Sequence, residues 1–163
     1  MKVKIASFTI MSNESLYILD LDNCLIYSSF QELKGQSLIS KRKYHFLYHR
    51  PFLKEFLKYI TQHNDIVFYT SSKVDYARWV VSSFGLEKEP VIFSRKYTKK
   101  KQNQFGETYY KSIDFIHLNK SYTSIKILDD RSDFWLDSDV IYLEISPWMG
   151  DFQDRELEKM ISQ

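Results

Sequence analysis

Eleven residues constrain this chain more than any other stretch: Leu16-Tyr-Ile-Leu-Asp-Leu-Asp-Asn-Cys-Leu-Ile26. Leu16 to Leu19 form a short apolar run, long enough for one buried strand. Two carboxylates follow, Asp20 and Asp22, one residue apart. On extended backbone, residues i and i+2 point the same way. If the strand ends at Asp20 and the chain curls, both acids face one point beyond the carboxyl edge of a sheet. Ligands bind at that edge in open α/β sheets. Close carboxylates repel, so either one is protonated or a cation sits between them. A hard cation such as Mg²⁺, which prefers oxygen ligands, meets that need. Taken alone, Asp-x-Asp is equally a solvated turn after a core strand.

The other segments decide between the two readings. Residues 2–10 alternate loosely and read as an edge strand, and Asn13 or Ser15 ends a turn before the Leu16 strand. Tyr27 to Lys41 is polar and reads as a loop. Tyr44 to Tyr48 has strand composition. Arg50-Pro51 then opens a helix, with Pro at a favourable first position and Phe52, Leu53, Phe56, Leu57 and Ile60 at helical spacing. Ile66 to Tyr69 is a second buried strand, closed by Thr70-Ser-Ser72. Lys73 to Phe84 reads as a helix with Gly85 just past its end. Val91 to Phe93 is a short strand, and a hairpin insertion is expected within residues 90–110, around Gly106. Residues 112–120 read as a short helix. Ile125 to Leu128 is a third buried strand, also ending in paired acids, Asp129-Asp130. Val140 to Leu143 is a fourth strand, and Asp154 to Met160 a last helix.

Such alternation of strand and helix implies a parallel sheet with helices on both faces. In that sheet the strand carboxyl ends share one edge. Asp20, Asp22, Thr70, Ser71, Asp129 and Asp130 would then gather there although they are distant in sequence.

The order of motifs resembles the haloacid dehalogenase superfamily of phosphoryl-transfer enzymes. It is more similar still to the phosphatases of the RNA polymerase II C-terminal domain, also called NLI-interacting-factor-like phosphatases. The residues carrying the resemblance are Leu19-Asp-Leu-Asp22, Tyr27-Ser-Ser-Phe30, Arg50-Pro-Phe-Leu-Lys-Glu-Phe-Leu57, Phe68-Tyr-Thr-Ser-Ser72, Tyr76-Ala77, Arg95, Tyr110-Lys111, Ile127-Leu-Asp-Asp130, Gly150-Asp151 and Asp154 to Leu157. The resemblance implies a three-layer, Rossmann-like α/β fold. The spacing between the second and third motifs leaves room for a hairpin but not for a large cap domain.

Roles come with the resemblance. Asp20 would be the nucleophile, forming an aspartyl-phosphate. Asp22 would act as general acid and then as general base. Mg²⁺ would be held by Asp20, the backbone carbonyl of Asp22 and Asp129, with Asp130 as turn residue or support. Thr70 and the Ser71 amide would hold phosphate oxygens at a helix N-terminus, Lys111 would neutralise phosphoryl charge, and Arg95 would lie near the substrate.

Some positions have simpler readings. Thr70 is also a good helix N-cap, Lys111 by itself looks like a surface lysine, and the family usually has an amide at position 130. Cys24 lacks an arginine six residues on, where Phe30 stands, so it reads as a small buried apolar group. The four histidines show no metal-ligand spacing.

Composition narrows the partners. The chain of 163 residues is expected to form one domain over 1–163, and 44% hydrophobic residues suffice for a core. Its 23 basic and 21 acidic residues leave a net charge of +2, which gives no argument for a nucleic-acid partner. One cysteine fits the cytoplasm or another reducing compartment, or a host cytosol for a secreted bacterial effector. No apolar run approaches ~20 residues, so no membrane span is expected, and MKVKIASFTIMSNES lacks the apolar stretch of a secretory signal. A monomer is expected.

An uncapped site favours a phosphorylated protein over a small metabolite, with phosphoserine, phosphothreonine and phosphotyrosine all open. Tyr97, Phe105, Tyr109, Tyr110 and Trp135 are candidates for an aromatic groove suited to proline or phosphotyrosine rings. The lysine run 99–101 reads as a solvated hairpin tip that would also steer acidic phosphopeptides. The alternatives are a small-molecule or nucleic-acid-end phosphatase of the same superfamily, and a catalytically weak phosphopeptide-binding adaptor.

Overall fold

The computed structural model describes residues 15–114 and 122–162 and the backbone of residues 3–4 and 116–117. Its centre is a five-stranded parallel sheet. In chain order the sheet strands are β2 (Ser15–Leu19), β6 (Asp65–Tyr69), β7 (Val91–Phe93), β11 (Ser124–Leu128) and β12 (Ile141–Leu143), arranged β12-β11-β2-β6-β7. The Leu16 strand is the middle one, as its unbroken apolar run demands. Its register pairs Leu19 with Leu128 on one side and with Phe68 on the other. The acids and hydroxyls that follow these three residues therefore emerge along one edge.

Side-chain alternation sends Leu16, Ile18, Val67, Tyr69, Phe93 and Ile127 to one face and Leu19, Phe68 and Leu128 to the other. The second face receives the apolar sides of α1 (Leu53–His63), α2 (Val74–Ser82) and α3 (Glu156–Ile161), through Leu53, Phe56, Leu57, Ile60, Ala77, Val80, Val81 and Leu157. Among the described residues the first face carries no α-helix. Its third layer is built from 3₁₀ turns at Arg95–Tyr97 and Ser132–Phe134 and from packed rings. Tyr69 meets Phe93 and Trp135 edge-on, and Phe93 meets Tyr97 in the same way. Rings of this size cover a sheet without a helix, and Tyr69, Phe93, Tyr97 and Trp135 do so here.

Several sequence expectations are corrected. The stretch from Tyr27 to Lys41 is not all loop. It contains β3 (Ile26–Ser29) and β4 (Ser40–Arg42), which flank β5 (His45–His49) in an antiparallel sheet ordered β3-β5-β4. Tyr27, Ser28 and Ser29 are only half-buried, so the strand lacks the apolar alternation that would have revealed it. Residues 112–114 do not begin a helix. Ser112 Oγ and the Ile113 amide are held by the Asp137 carboxylate, and the chain goes on into β10 (Ile116–His117), paired in parallel with β1 (Val3–Lys4). Position 115 and residues 118–120 of that expected helix, like Asn13 and most of residues 2–10, fall outside the described residues. Helix α1 starts at Leu53 rather than Pro51, because Phe52 takes a left-handed conformation at φ 63°. The expected hairpin is present as β8 (Lys99–Asn103) and β9 (Gly106–Tyr110).

The C-terminal segment locks the loop after β2. Arg50 is buried. Its Nη1 donates to the Cys24 carbonyl at 2.9 Å and the Ser146 carbonyl at 3.0 Å. Its Nε and Nη2 donate to Asp154 at 2.9 and 2.8 Å, and Nη2 also reaches Glu156 at 3.2 Å. The Trp148 amide donates to the Asn23 carbonyl at 2.6 Å. Gly150 sits at φ 94° beside Leu33 and Tyr27, where a Cβ would come within 2.7 Å of Leu33 Cδ1. Cys24 is buried in this loop, its thiol 3.6 Å from the Leu128 carbonyl. Burial, with the negative charge of Asp20 and Asp129, pushes that thiol up, consistent with an inert packing role.

Candidate active site

Three strand ends and one hairpin end build the site. Strand β2 stops at Leu19, and the Asp20 amide donates to the Leu128 carbonyl at 2.9 Å, so Asp20 begins where the sheet ladder ends. Asn23, at φ 60°, turns the chain back, and the amides of Cys24, Leu25 and Ile26 all point to the Leu21 carbonyl. That tight turn separates the two acids of Asp-x-Asp. Asp20 faces the sheet edge. Asp22 turns aside, accepting from Ser72 Oγ at 2.8 Å and from Tyr76 OH at 2.5 Å.

Strand β11 ends in the same way at Leu128, placing Asp129 beside Asp20. One Asp129 oxygen accepts from the Arg131 amide at 2.9 Å and the other from Trp135 Nε1 at 2.7 Å. Lys111 follows β9. Its amide donates to the Phe134 carbonyl at 2.8 Å and its carbonyl accepts from the Leu136 amide at 3.0 Å. This pins its ammonium between the acids, 2.5 Å from Asp20 Oδ1 and 2.6 Å from Asp129 Oδ2. The residue that looks like a surface lysine in sequence is 4% exposed.

Charge here is crowded. Burial, and next the Asp129 charge, raise the Asp20 pKa well above the usual carboxylate range, against the pull of Lys111. Burial disfavours the Lys111 ammonium, but Asp20 and Asp129 more than offset it and hold its pKa above the ordinary lysine value. Burial, then Asp129, lifts Asp130 to about 6. Carboxylate oxygens of Asp20, Asp129 and Asp130 lie within 4.8 Å of one another. Two buried acids and one half-buried acid with an ammonium among them have the hard-oxygen chemistry that Mg²⁺ takes. The Asp22 carboxylate is outside that group, so only its backbone carbonyl could contribute.

Thr70 and Ser71 sit past the end of β6, as expected, but not at a helix N-terminus. Helix α2 begins at Val74, and Lys73 precedes it without a side-chain cap. Thr70 instead closes a turn, its Oγ1 accepting from the Ser72 amide at 3.0 Å. Arg95 is tied to this turn. Its amide donates to the Ser72 carbonyl at 2.9 Å and its Nε to the Ser71 carbonyl at 2.6 Å, and its guanidinium lies over the Tyr109 ring at 4.7 Å. Trp135 cannot line an open groove, because it is buried and spends its indole N–H on Asp129. Phe105, 90% exposed at the hairpin tip, stands apart from it.

Sequence reasoning gave no site role to Ser72 or Tyr76, although both stand among the motif residues, and it gave Trp135 a groove role in place of its bond to Asp129. Those partners are supplied by the fold alone.

Comparison with known proteins identifies the family and the fold. The sequence model of the family described as NLI interacting factor-like phosphatase matches residues 16–163. A Dictyostelium discoideum protein named "Probable C-terminal domain small phosphatase" is 30% identical over 146 residues, covering 86% of this chain and 46% of that protein. The solved structure of Fcp1, described as an essential RNA polymerase II CTD phosphatase, superposes with a TM-score of 0.55 at 19% identity, over 88% of this chain and 46% of that one. Fission yeast Fcp1 bound to beryllium fluoride gives 0.52 at 17%, over 90% and 48%. This chain thus spans less than half the length of each of these proteins, and at such identities the two structures bear on the fold alone. The match across residues 16–163, on a parallel sheet that brings Asp20, Lys111 and Asp129 to one edge, places the chain in the NLI interacting factor-like phosphatase family.

Proposed function

We propose that the chain is a Mg²⁺-dependent phosphatase that hydrolyses phosphomonoesters on proteins through an aspartyl-phosphate on Asp20. The supporting observation is the division of labour between the two acids of Asp-x-Asp: Asp20 is buried against Lys111, and Asp22 is turned away and held by Ser72 and Tyr76.

Asp20 Oδ attacks phosphorus, and the bond to the leaving oxygen breaks as Asp22 gives that oxygen a proton. Ser72 and Tyr76 fix the direction in which Asp22 faces. Water then attacks the phosphorus of the acyl phosphate, Asp22 takes its proton, and phosphate leaves with Asp20 regenerated. Lys111 has three N–H donors and, among the described residues, two carboxylate partners, which leaves one direction for a phosphoryl oxygen. Thr70 and the Ser71 amide would hold further phosphoryl oxygens, and Arg95, bonded through Nε to the Ser71 carbonyl, would lie near the substrate. Asp20, Asp129 and the Asp22 carbonyl would hold Mg²⁺, with Asp130 beside them, and the ion would offset phosphoryl charge during transfer.

A protein substrate is favoured because only a 3₁₀ turn and the hairpin β8–β9 lie between β7 and Lys111, with no cap domain in that interval to enclose a metabolite. The names of the relatives point the same way. The reading is tested on synthetic peptides carrying phosphoserine, phosphothreonine or phosphotyrosine, assayed with Mg²⁺ and with chelator. Phosphate release that needs Mg²⁺ and vanishes in Asp20→Asn is expected. Release that survives in Asp20→Asn, or activity confined to nucleotides and sugar phosphates, overturns it.

A further inference from the structure

One face of the hairpin continues past Lys111 into the loop after Asp130. Strand pairing puts Lys99 and Lys101 on the same side as Tyr110, and Lys100 on the other side with Tyr109. On the Lys101 side, the Lys101 ammonium lies 4.5 Å from the Tyr110 ring centroid. Tyr110 stacks on Phe134 at 5.5 Å and 29°. Phe134 carries the Arg131 guanidinium at 3.9 Å on its ring. The sequence Lys101–Tyr110–Phe134–Arg131 is a ladder of two rings with a cation at each end. It borders the reaction centre directly. Tyr110 precedes Lys111, the Phe134 carbonyl holds the Lys111 amide, and the Arg131 amide holds Asp129.

The neighbouring lysines are neutralised, Lys99 by Asp114 and Lys100 by Glu107. Among the described residues Lys101 has no carboxylate partner. Arg131 meets Asp133 only at 3.3 and 3.4 Å, between side chains 55% and 69% exposed, a weak pair in water. Two exposed cations held in place by rings, on the wall of a phosphoester site, match a dianion better than a neutral chain.

We propose that this ladder binds a second phosphorylated residue of the peptide whose first phosphate enters at Asp20, so that the enzyme prefers multiply phosphorylated segments. The inference rests on the function proposed above. The Arg131 fork takes two phosphate oxygens after releasing Asp133, and Lys101, at the other end of the ladder, adds longer-range attraction for the same anionic segment. A flanking phosphate stays intact, because it is held away from Asp20.

Peptides with one phosphoserine, and with a second placed two to five residues to either side, are compared by kcat/KM, and intact mass identifies which ester is cleaved. A second phosphate on one side is expected to raise kcat/KM about tenfold, as one charge-assisted contact does. Lys101→Gln with Arg131→Gln is expected to bring the ratio of doubly to singly phosphorylated substrate to about one and to flatten its salt dependence. Using the ratio cancels any loss of folded enzyme. An equal kcat/KM for both peptides in the wild type, or a preference that persists in the double variant, sinks the ladder while leaving the phosphatase reading intact. Hydrolysis of p-nitrophenyl phosphate with no hydrolysis of any peptide sinks the protein-substrate reading, and the ladder with it.

Discussion

Lys111 and Arg50 are both buried cations that face two carboxylates, and they are wired differently. Arg50 has five N–H donors, and all five find acceptors in Asp154, Glu156 and the carbonyls of Cys24 and Ser146. Burial disfavours the Asp154 charge, yet the Arg50 hydrogen bonds more than offset this and its pKa lies below the usual value. Lys111 sits among acids that outnumber it, and the pKa of Asp20 lies above the usual value. A raised carboxylate pKa means that the folded state disfavours the charge at neutral pH, and a lowered one means that it favours it. The Arg50 network is therefore settled. The Lys111 network holds crowded negative charge that an incoming cation would relieve.

The same change, Asp to Asn, should separate the two. Asp20→Asn is expected to cut turnover at least about a thousandfold and yet raise the thermal midpoint in chelator, because a disfavoured charge is gone. Asp154→Asn should lower that midpoint. Calorimetry on both variants checks the signs, and a fall in both would erase the distinction. Arg50→Met, which leaves Asp154 and Glu156 without their partner, should cost about 3–5 kcal/mol in denaturant unfolding. A loss below 1 kcal/mol would mean that the clamp on the Asp22 loop is dispensable.

Smaller changes sharpen the comparison at its edges. Tyr76→Phe removes one of the two hydrogen bonds on Asp22. Burial, then the Asp22 charge, raises the tyrosine pKa and keeps the hydroxyl a donor. The variant should lower kcat about tenfold and leave KM and the thermal midpoint near wild type. An unchanged kcat would dissociate Tyr76 from the reaction.

His49 belongs to neither network. Burial lowers its pKa from 6.5 to about 4. The unfolded chain then binds the proton more tightly, so stability should fall as pH drops from 6.5 towards 4. His49→Gln should flatten that slope slightly, and an identical slope would assign it to the carboxylates.

Much of the site was legible because short apolar strands ending in acids or hydroxyls have few places to go in a parallel sheet. Leu16–Leu19, Ile66–Tyr69 and Ile125–Leu128 announced themselves by composition, and each strand end was placed within one residue. Lys111 was legible only through resemblance, because one lysine after a hairpin carries no periodic signal. The helix expected over 112–120 does not form at its described start, 112–114, because the Asp137 carboxylate captures Ser112 and Ile113. Strand β3 was missed because polar, half-buried serines owe their extended form to β5, a partner seventeen or more residues away.

The sequence by itself determined which residues end the central strands, and hence that Asp20, Thr70 and Asp129 share an edge, because strand length and direction follow from local apolar runs. Tertiary structure alone decided that Asp22 turns towards Ser72 and Tyr76, that Trp135 serves Asp129 instead of lining a groove, and that Lys101 and Arg131 close one ladder. Those outcomes depend on where distant backbone segments come to rest, and a side chain's partner is set by that position rather than by its neighbours in the chain.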